Sequence, residues 1–203
     1  MAGLLTIIGI GINMNHIIAN KVYNGHGLYR GIDPYNPLNL PPNTVRVRTN
    51  NGNPPNGGTY NTATLVTGTT NVYDVYKSGN SFLDLLKNSN NVIEVLGANT
   101  TGIVSMSHMF FACHYLTTVA LFDTSSVTDM SFMFNNCNRL THIPLIDTSK
   151  VTNMNFMCTY CQRVESGAFA LYKQASTQTN PPSKHTQTFR NCGDSSQIPD
   201  DWK

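Results

Sequence analysis

The chain reads Ile103-Val-Ser-Met-Ser-His-Met-Phe-Phe-Ala-Cys113 and then, 24 residues on, Val127-Thr-Asp-Met-Ser-Phe-Met-Phe-Asn-Asn-Cys137; residues 151–161 repeat the pattern a third time. A leucine or valine follows each of these cysteines three residues later. A strict period with fixed apolar positions indicates one small supersecondary unit stacked on copies of itself. The sequence therefore predicts a repeat architecture that presents a surface, and it favours binding over catalysis.

The spacing within a unit predicts its secondary structure. Apolar residues of the Val-x-x-Met-x-x-Met-Phe-x-x-Cys pattern lie near a helical period, and residues 116–122 alternate as a strand does. One short helix or 3₁₀ turn followed by one short strand is typical of leucine-rich repeats. We therefore expect an α+β fold over residues 99–203, a short leucine-rich-repeat-like solenoid with 24-residue repeats.

The array breaks after Val164. Residues 165–176 predict an amphipathic helix, and residues 189–192 then resemble residues 134–137. We interpret this as a diverged last repeat with a helix inserted before it, which forms a C-terminal cap closed by Trp202.

A small β-rich module is expected before the repeats, over residues 43–98, where it would cap the open end of the solenoid. Strands are predicted over residues 44–49, 62–66, 71–77 and 90–97. Asn80 or Ser81 would cap a short helix over residues 82–87.

Residues 1–42 are punctuated by glycine and proline and show no long periodic pattern. We expect an extended N-terminal arm that becomes ordered against a partner, although a disordered tail remains an alternative. Its apolar residues would anchor the chain to a larger particle: Leu4, Leu5, Ile7, Ile8, Ile10 and Ile12. The segment lacks the basic start of a secretory signal and is short for a membrane span, so we expect neither standard export nor membrane insertion.

The composition of the chain indicates which classes of partner it would attract only weakly. Charged residues make up 12% of the chain and the net charge is +2, so the polar surface comes mostly from uncharged hydrogen-bonding residues. Such a surface attracts nucleic acid and anionic lipid only weakly, and we expect neither as a partner. We expect no cofactor.

The repeats also carry a resemblance. The run from Phe122 to Leu140, with its Asp-Thr-Ser and Met-Phe-x-x-Cys elements, returns in part from Ile146 to Met154. It resembles the BspA-like repeats, leucine-rich-repeat relatives found in bacterial surface proteins, mycoplasma lipoproteins and gut bacteriophage proteins. Residues 44–101 look like a module that precedes such repeats in gut phage proteins. The resemblance implies display and binding, and it supplies no catalytic residues.

Three groups of residues resemble metal-binding or catalytic sites but have simpler interpretations. His108 and His114 flank Cys113, but the next unit has no matching ligands, so we expect surface histidines and no metal. The lone Cys158-x-x-Cys161 is explained by packing at the repeat position. Asp123 and Asp147 resemble the carboxylate pair of a retaining glycosidase, yet Asp-Thr-Ser turns explain them better, and we expect no enzyme.

The candidate ligand site lies on the repeat surface. It comprises amides and rings that suit carbohydrate recognition: Tyr115, Phe132, Asn135, Asn136, Asn138, Asn153, Asn155 and Tyr160. Rows of asparagine also cap backbone groups in repeat turns, and both roles stay open.

A phage virion structural protein fits these features. We expect a capsid- or tail-attached appendage, a fibre or decoration on the outer surface of the particle. Its arm would bind other virion proteins and its repeats would bind a glycan or protein of the bacterial host. Homo-oligomerisation is expected, since phage fibres are symmetric. The alternative is a bacterial cell-surface or secreted BspA-like adhesin, and a third class is a glycan depolymerase.

Overall fold

The computed structural model describes residues 22–24, 27–29 and 38–203. The strands are β1 (Val22–Asn24), β2 (Gly27–Tyr29), β3 (Thr44–Thr49), β4 (Thr62–Leu65), β5 (Val72–Tyr76), β6 (Val92–Asn99) and β7 (Thr118–Val119). One α-helix, α1 (Ala168–Thr177), and one 3₁₀-helix (Asp200–Trp202) complete the regular elements of these residues. Strands β1 and β2 pair as an antiparallel two-stranded sheet.

The other five strands form a mixed sheet in the order β4-β5-β3-β6-β7. Its first four strands pair antiparallel, whereas β7 joins β6 in parallel, with Val119 beside Val95. Val45 and Val47 of β3 are fully buried and Arg46 between them is half-buried, which is the period of two expected of a strand with one core face. The four strands predicted over residues 44–97 are confirmed as β3 to β6.

The prediction of a leucine-rich-repeat-like α+β solenoid is wrong. The sequence predicts a helix or 3₁₀ turn and a strand in each unit, but the described repeats contain no helical element, and only the first has a strand, β7. The helix predicted over residues 82–87 is also wrong, because these residues form turns. The fold is a mixed five-stranded sheet that continues into hydrogen-bonded turns, and α1 is the one α-helix of the described residues.

Five turn units lie one on another in the described part of the chain, over residues 81–91, 105–115, 129–139, 153–163 and 184–194. Each unit is joined to the next by a parallel bridge, through Ser81, Ser105, Asp129, Asn153 and Lys184. Beyond the bridge, every second amide donates to a carbonyl of the next unit, as Phe110 does to Met133 (N···O 2.9 Å). We call these five units the turn stack.

The intervening amides close turns inside a unit. Met109 donates to the Met106 carbonyl, and Cys113 donates to that of Phe110, both at 3.1 Å. The third residue of each turn, His108 (φ +56°) and Ala112 (φ +54°), is left-handed, and a left-handed residue stops a right-handed helix. The spacing of three between apolar residues therefore records successive i to i+3 turns, not a helical period of 3.6.

One hydrophobic cluster runs from the sheet through the turn stack to α1. All five cysteines are buried free thiols, which confirms the predicted packing role of the repeated ones. Cys137 Sγ donates to the Phe110 carbonyl (3.1 Å), and Cys113 and Cys161 make the same bond one unit away on either side. Burial raises the pKa of Cys113 to about 12, so the thiols stay protonated.

The first turn unit is covered by the loop of residues 54–61. The Thr59 amide donates to the Asp84 carbonyl (3.0 Å). Gly58 is required at this contact, because a Cβ there would lie 2.1 Å from the Leu85 carbonyl oxygen. The loop therefore caps carbonyls that would otherwise have no further unit to accept from.

The last turn unit is covered by Trp202. Its ring stacks on His185 with centroids 4.3 Å apart, and its carbonyl accepts from the Phe189 amide (2.9 Å). The inserted helix is present as α1, and the closing role of Trp202 is confirmed. The predicted anchoring residues, Leu4, Leu5, Ile7, Ile8, Ile10 and Ile12, lie outside the described residues.

Candidate functional site: two surfaces of the turn stack

One position of the turn stack carries an aromatic ring in three successive units. The ring of Phe132 is stacked between those of His108 (centroids 4.6 Å apart) and Phe156 (4.8 Å apart). Phe111 tilts against both His108 and Phe132. We call His108, Phe132 and Phe156 the ring column. Because both faces of Phe132 are covered by its neighbours, this half-buried ring presents its edge to solvent.

The ring column ends at a polar group in the first unit. Asp84 occupies the same position there, and its Oδ1 lies 3.3 Å from Lys87 Nζ. Burial lowers the pKa of His108 below its ordinary value, and the Asp84 carboxylate opposes that shift. Ser107 Oγ lies 2.8 Å from His108 Nδ1, which fixes the imidazole ring. His108 is therefore a neutral member of the column at pH 7.

A second surface is formed where three units end. Tyr115, Arg139 and Arg163 occupy one position in successive units, and all three are exposed. We call them the Tyr–Arg edge. The Arg139 guanidinium carbon lies 4.4 Å from the centre of the Tyr115 ring, a cation–π contact. Among residues 38–203, neither arginine forms an ion pair or donates a hydrogen bond.

Two predicted ligand residues lie beside this edge. With its amide oriented by hydrogen bonding, Asn138 donates to the carbonyls of Asn136 (2.9 Å) and Tyr160 (3.2 Å). The Tyr160 side chain is 36% exposed. The structure thus links Asn138 to the Asn136 and Tyr160 backbones beside Arg139, whose guanidinium lies over Tyr115.

The other predicted asparagines bond to the turn stack itself. Asn135 is buried; its Nδ2 donates to the Phe156 carbonyl (3.1 Å) and its Oδ1 accepts from Asn136 Nδ2 (2.9 Å). Asn153 Oδ1 accepts from the Asn155 amide (3.2 Å), and Asn155 Oδ1 accepts from the Thr186 amide (2.8 Å). Of the two roles left open for asparagine, these three side chains take the capping of backbone or neighbouring amides.

The carboxylate pair also serves turns. Asp123 Oδ1 accepts from the Ser125 amide (2.9 Å), and Asp147 Oδ1 accepts from the Ser149 amide (2.8 Å). These are the side-chain turns predicted for the two Asp-Thr-Ser sequences.

The predicted site residues do not include Arg139, Arg163 or Phe156, and the prediction of a surface histidine at position 108 misses its stacking on Phe132. The 24-residue repeat could have identified these residues if it had been followed at variable positions as well as at apolar ones. One such position carries His108, Phe132 and Phe156, and another carries Tyr115, Arg139 and Arg163.

Two kinds of feature are absent from the part of the chain that the structure describes. No three histidine, cysteine or acidic side chains there are grouped so that they would hold a metal ion. No described helix combines the length and hydropathy that crossing a bilayer requires.

Comparison with known proteins identifies a family. Residues 70–202, more than half of the chain, match the family described as "Mycoplasma protein of unknown function, DUF285". The chain belongs to this family, which is related to the BspA-like surface repeat proteins. No curated protein and no solved structure matches it.

Proposed function

We propose that this chain is a display protein whose turn stack binds the surface of a bacterial host. The observation that carries the proposal is the Tyr–Arg edge, where Arg139 lies over the exposed Tyr115 ring, Arg163 occupies the same position of the next unit, and neither arginine has a carboxylate partner in residues 38–203. Exposed aromatic and arginine side chains are the types enriched at binding sites.

The chemistry of this edge favours a glycan as ligand. Sugars offer hydroxyl groups to hydrogen-bonding side chains and apolar ring faces to aromatic ones. Tyr115 (39% exposed) and Tyr160 (36% exposed) supply rings, and Arg139 supplies donors. The ring column is less suited to this role, because Phe132 has no free face.

The particle to which the chain belongs is a further part of the proposal. We place it on the outer surface of a bacteriophage virion, as a capsid- or tail-attached fibre or decoration that forms homo-oligomers and is anchored by its N-terminal arm. The resemblance of the repeats to BspA-like repeats, and of residues 44–101 to a module that precedes such repeats in gut phage proteins, supports this placement. A bacterial cell-surface adhesin is the second candidate, which the family's mycoplasma description favours.

Binding without catalysis is proposed because the acidic groups that a glycan hydrolase would use have other roles. Asp123 and Asp147 each accept a backbone amide in a turn. A depolymerase would release reducing ends from host capsule, so an assay for reducing ends tests this part.

Two experiments test the proposal. Mass spectrometry of purified phage particles, with antibody labelling in the electron microscope, should find the chain at fixed copy number on an outer appendage. Label on cell envelopes, with none on particles, would favour the adhesin.

In cell-binding assays the double variant Tyr115→Ala/Tyr160→Ala should bind host cells less than wild type. Tyr76→Ala is the matched control, since this tyrosine is 38% exposed but belongs to β5 of the sheet. Equal binding by all three proteins would contradict the placement of the site.

A further inference from the structure

We infer that the Tyr–Arg edge binds an anionic polysaccharide, one that carries carboxylate or phosphate groups along its chain. This inference rests on the proposed function and names the class of ligand for the same surface. It is argued from the pairing of the arginines, the geometry of Arg139 and the spacing of the turn units.

Four of the five described arginines fall into two groups; the fifth, Arg190 of the last turn unit, donates to Gln187 Oε1 (3.0 Å). Those of the sheet are neutralised: Arg46 forms two hydrogen bonds with Asp74 (2.6 and 2.7 Å), and Arg48 forms one with Glu94 (2.9 Å). In the turn stack, Arg139 and Arg163 are exposed and have no acidic partner in residues 38–203. Two adjacent cations without a counter-charge favour an anionic ligand over a neutral one.

Two acidic residues, Glu165 and Asp194, lie toward the Arg163 end of the edge. Asp194 follows Arg163 at the same position of the last unit, but its Oδ2 accepts from the Phe169 amide at the start of α1 (3.2 Å). Glu165 is exposed and forms no ion pair within the described residues. The positive charge is therefore clearest at Arg139, two units away from Asp194 in the turn stack.

The Tyr115 ring holds Arg139 in place for recognition. A guanidinium that lies over an aromatic ring keeps its N–H groups, which point outward in its own plane, available to a ligand. A planar fork of donors matches carboxylate and phosphate oxygens in pairs. Stacking on Tyr115 thus removes part of the entropy cost of ordering a long side chain when the ligand binds.

The spacing of the units matches a polymer better than a single small anion. Neighbouring units are hydrogen-bonded like strands, so Arg139 and Arg163 repeat at a step of about 4.8 Å. This step is close to the length of one pyranose ring in an extended polysaccharide. A chain with an acidic group on successive sugars can therefore contact both arginines at once, and an extended acidic polysaccharide is the occupant that we assign.

The test compares charged polysaccharides with neutral partners of the same backbone. Polygalacturonate is paired with its full methyl ester to test carboxylate, and phosphomannan is paired with mannan to test phosphate. Binding of the full chain is measured at low and at physiological salt. The double variant Arg139→Gln/Arg163→Gln should bind the preferred charged polymer about tenfold more weakly or worse, since charge-assisted hydrogen bonds are lost. Arg139→Lys should recover only part of the affinity because it lacks the planar fork.

The matched control is Lys150→Gln/Lys173→Gln, which removes two exposed positive charges outside the edge. We expect the control to bind as wild type does and the difference between charged and neutral polymers to shrink as salt rises. Wild-type binding without preference for either charged polymer overturns the inference, as does equal loss in both double variants. If wild type still binds bacterial cells in that case, the proposed function stands; if it binds neither cells nor polymers, both fail.

Discussion

The five-stranded sheet and the turn stack share one core but are held together differently. In the sheet, strands pair in register over several residues, as β3 does with β5 from Thr44 to Arg48. In the turn stack, each unit gives every second amide to its neighbour and uses the rest to close turns that require left-handed residues. The sheet therefore depends on a pattern of side chains, whereas the turn stack depends also on the backbone conformation at fixed positions.

The two regions also differ in what their arginine side chains contact. The hydrogen bond to Asp74 raises the pKa of Arg46 and keeps this sheet arginine paired. Arg139 of the turn stack lies on an aromatic ring instead. The guanidinium of Arg46 is therefore occupied by a carboxylate of the sheet, whereas the guanidinium of Arg139 is available to a ligand.

The largest expected difference between the regions appears at alkaline pH, because all five cysteines lie in the turn stack. Unfolded thiols ionise near pH 8.5, whereas burial raises the pKa of Cys113 and Cys192 to about 12. Between these values the native state binds more protons than the unfolded state, so stability falls as pH rises, by up to about 1.4 kcal/mol per pH unit for each thiol. Urea unfolding at pH 8, 9 and 10 under reducing conditions measures this slope.

Cys113→Ala supplies the control for that slope. Its stability should fall less steeply with pH than that of wild type, by the contribution of one thiol. Identical slopes in the two proteins would contradict a protonated, buried Cys113.

Truncating a buried ring of the turn stack should cost more than truncating a buried valine of the sheet, because more apolar volume is removed. Phe134 is fully buried and its ring is stacked on that of Phe110 at 5.5 Å, so Phe134→Ala should lower the free energy of unfolding by about 4 kcal/mol. Val47→Ala, at a fully buried position of β3, should cost about 2 kcal/mol. Chemical denaturation measures both, and the reverse order would break the comparison.

Close packing between units predicts a glycine effect. A Cβ at Gly193 would lie 1.9 Å from the Val164 carbonyl oxygen, so Gly193→Ala should destabilise the protein by about 3 kcal/mol. Gly68→Ala has open space around it and only a positive φ to oppose it, so about 1 kcal/mol is expected. A thermal or urea titration that finds the two variants equally stable would show that the units are not in contact as described.

Substitution by glycine should have a smaller effect, stabilising a left-handed turn position and destabilising a helical one. Gln187 is left-handed (φ +52°), so Gln187→Gly should relieve strain and stabilise the protein by about 0.5 kcal/mol. Ala170 is an exposed residue of α1, and Ala170→Gly should destabilise it by about 1 kcal/mol. Losses of similar size in both variants, measured by urea unfolding, would indicate helical backbone at Gln187.

The smallest effect is expected from the exposed ion pair of the sheet. Arg48 and Glu94 are 41% and 36% exposed, so Arg48→Gln should change the free energy of unfolding by less than about 1 kcal/mol. It should leave cell binding unchanged, in contrast to Arg139→Gln. A loss of binding as large as that of Arg139→Gln would move the site to the sheet.

These regions also differ in how far the sequence predicts them. The alternation around Val45 and Val47 has one physical cause, a strand with one buried face, and it places β3 correctly. The spacing of Met106, Met109 and Cys113 has two possible causes, a helix or successive turns, and the apolar pattern alone does not separate them. The deciding residues, His108 and Ala112, are left-handed; histidine is a type enriched in that conformation, but no local signal marks Ala112.

The candidate site is predictable only in part for a related reason. Tyr115, Asn138 and Tyr160 are recognisable as surface groups of a repeat. Their neighbour Arg139 becomes notable only when its contact with Tyr115 and its lack of a carboxylate partner in the described residues are seen. Pairing of charges depends on which units are adjacent, and that is a property of the fold.

The central claim is that the repeats are turns joined unit to unit and not helices, and NMR couplings across hydrogen bonds test it most directly. We expect couplings from the Phe110 amide to the Met133 carbonyl and from the Phe134 amide to the Met157 carbonyl, with positive φ at His108 and Phe132. Couplings from each of these amides to the carbonyl four residues before it, with helical φ throughout residues 106–113, would contradict the account.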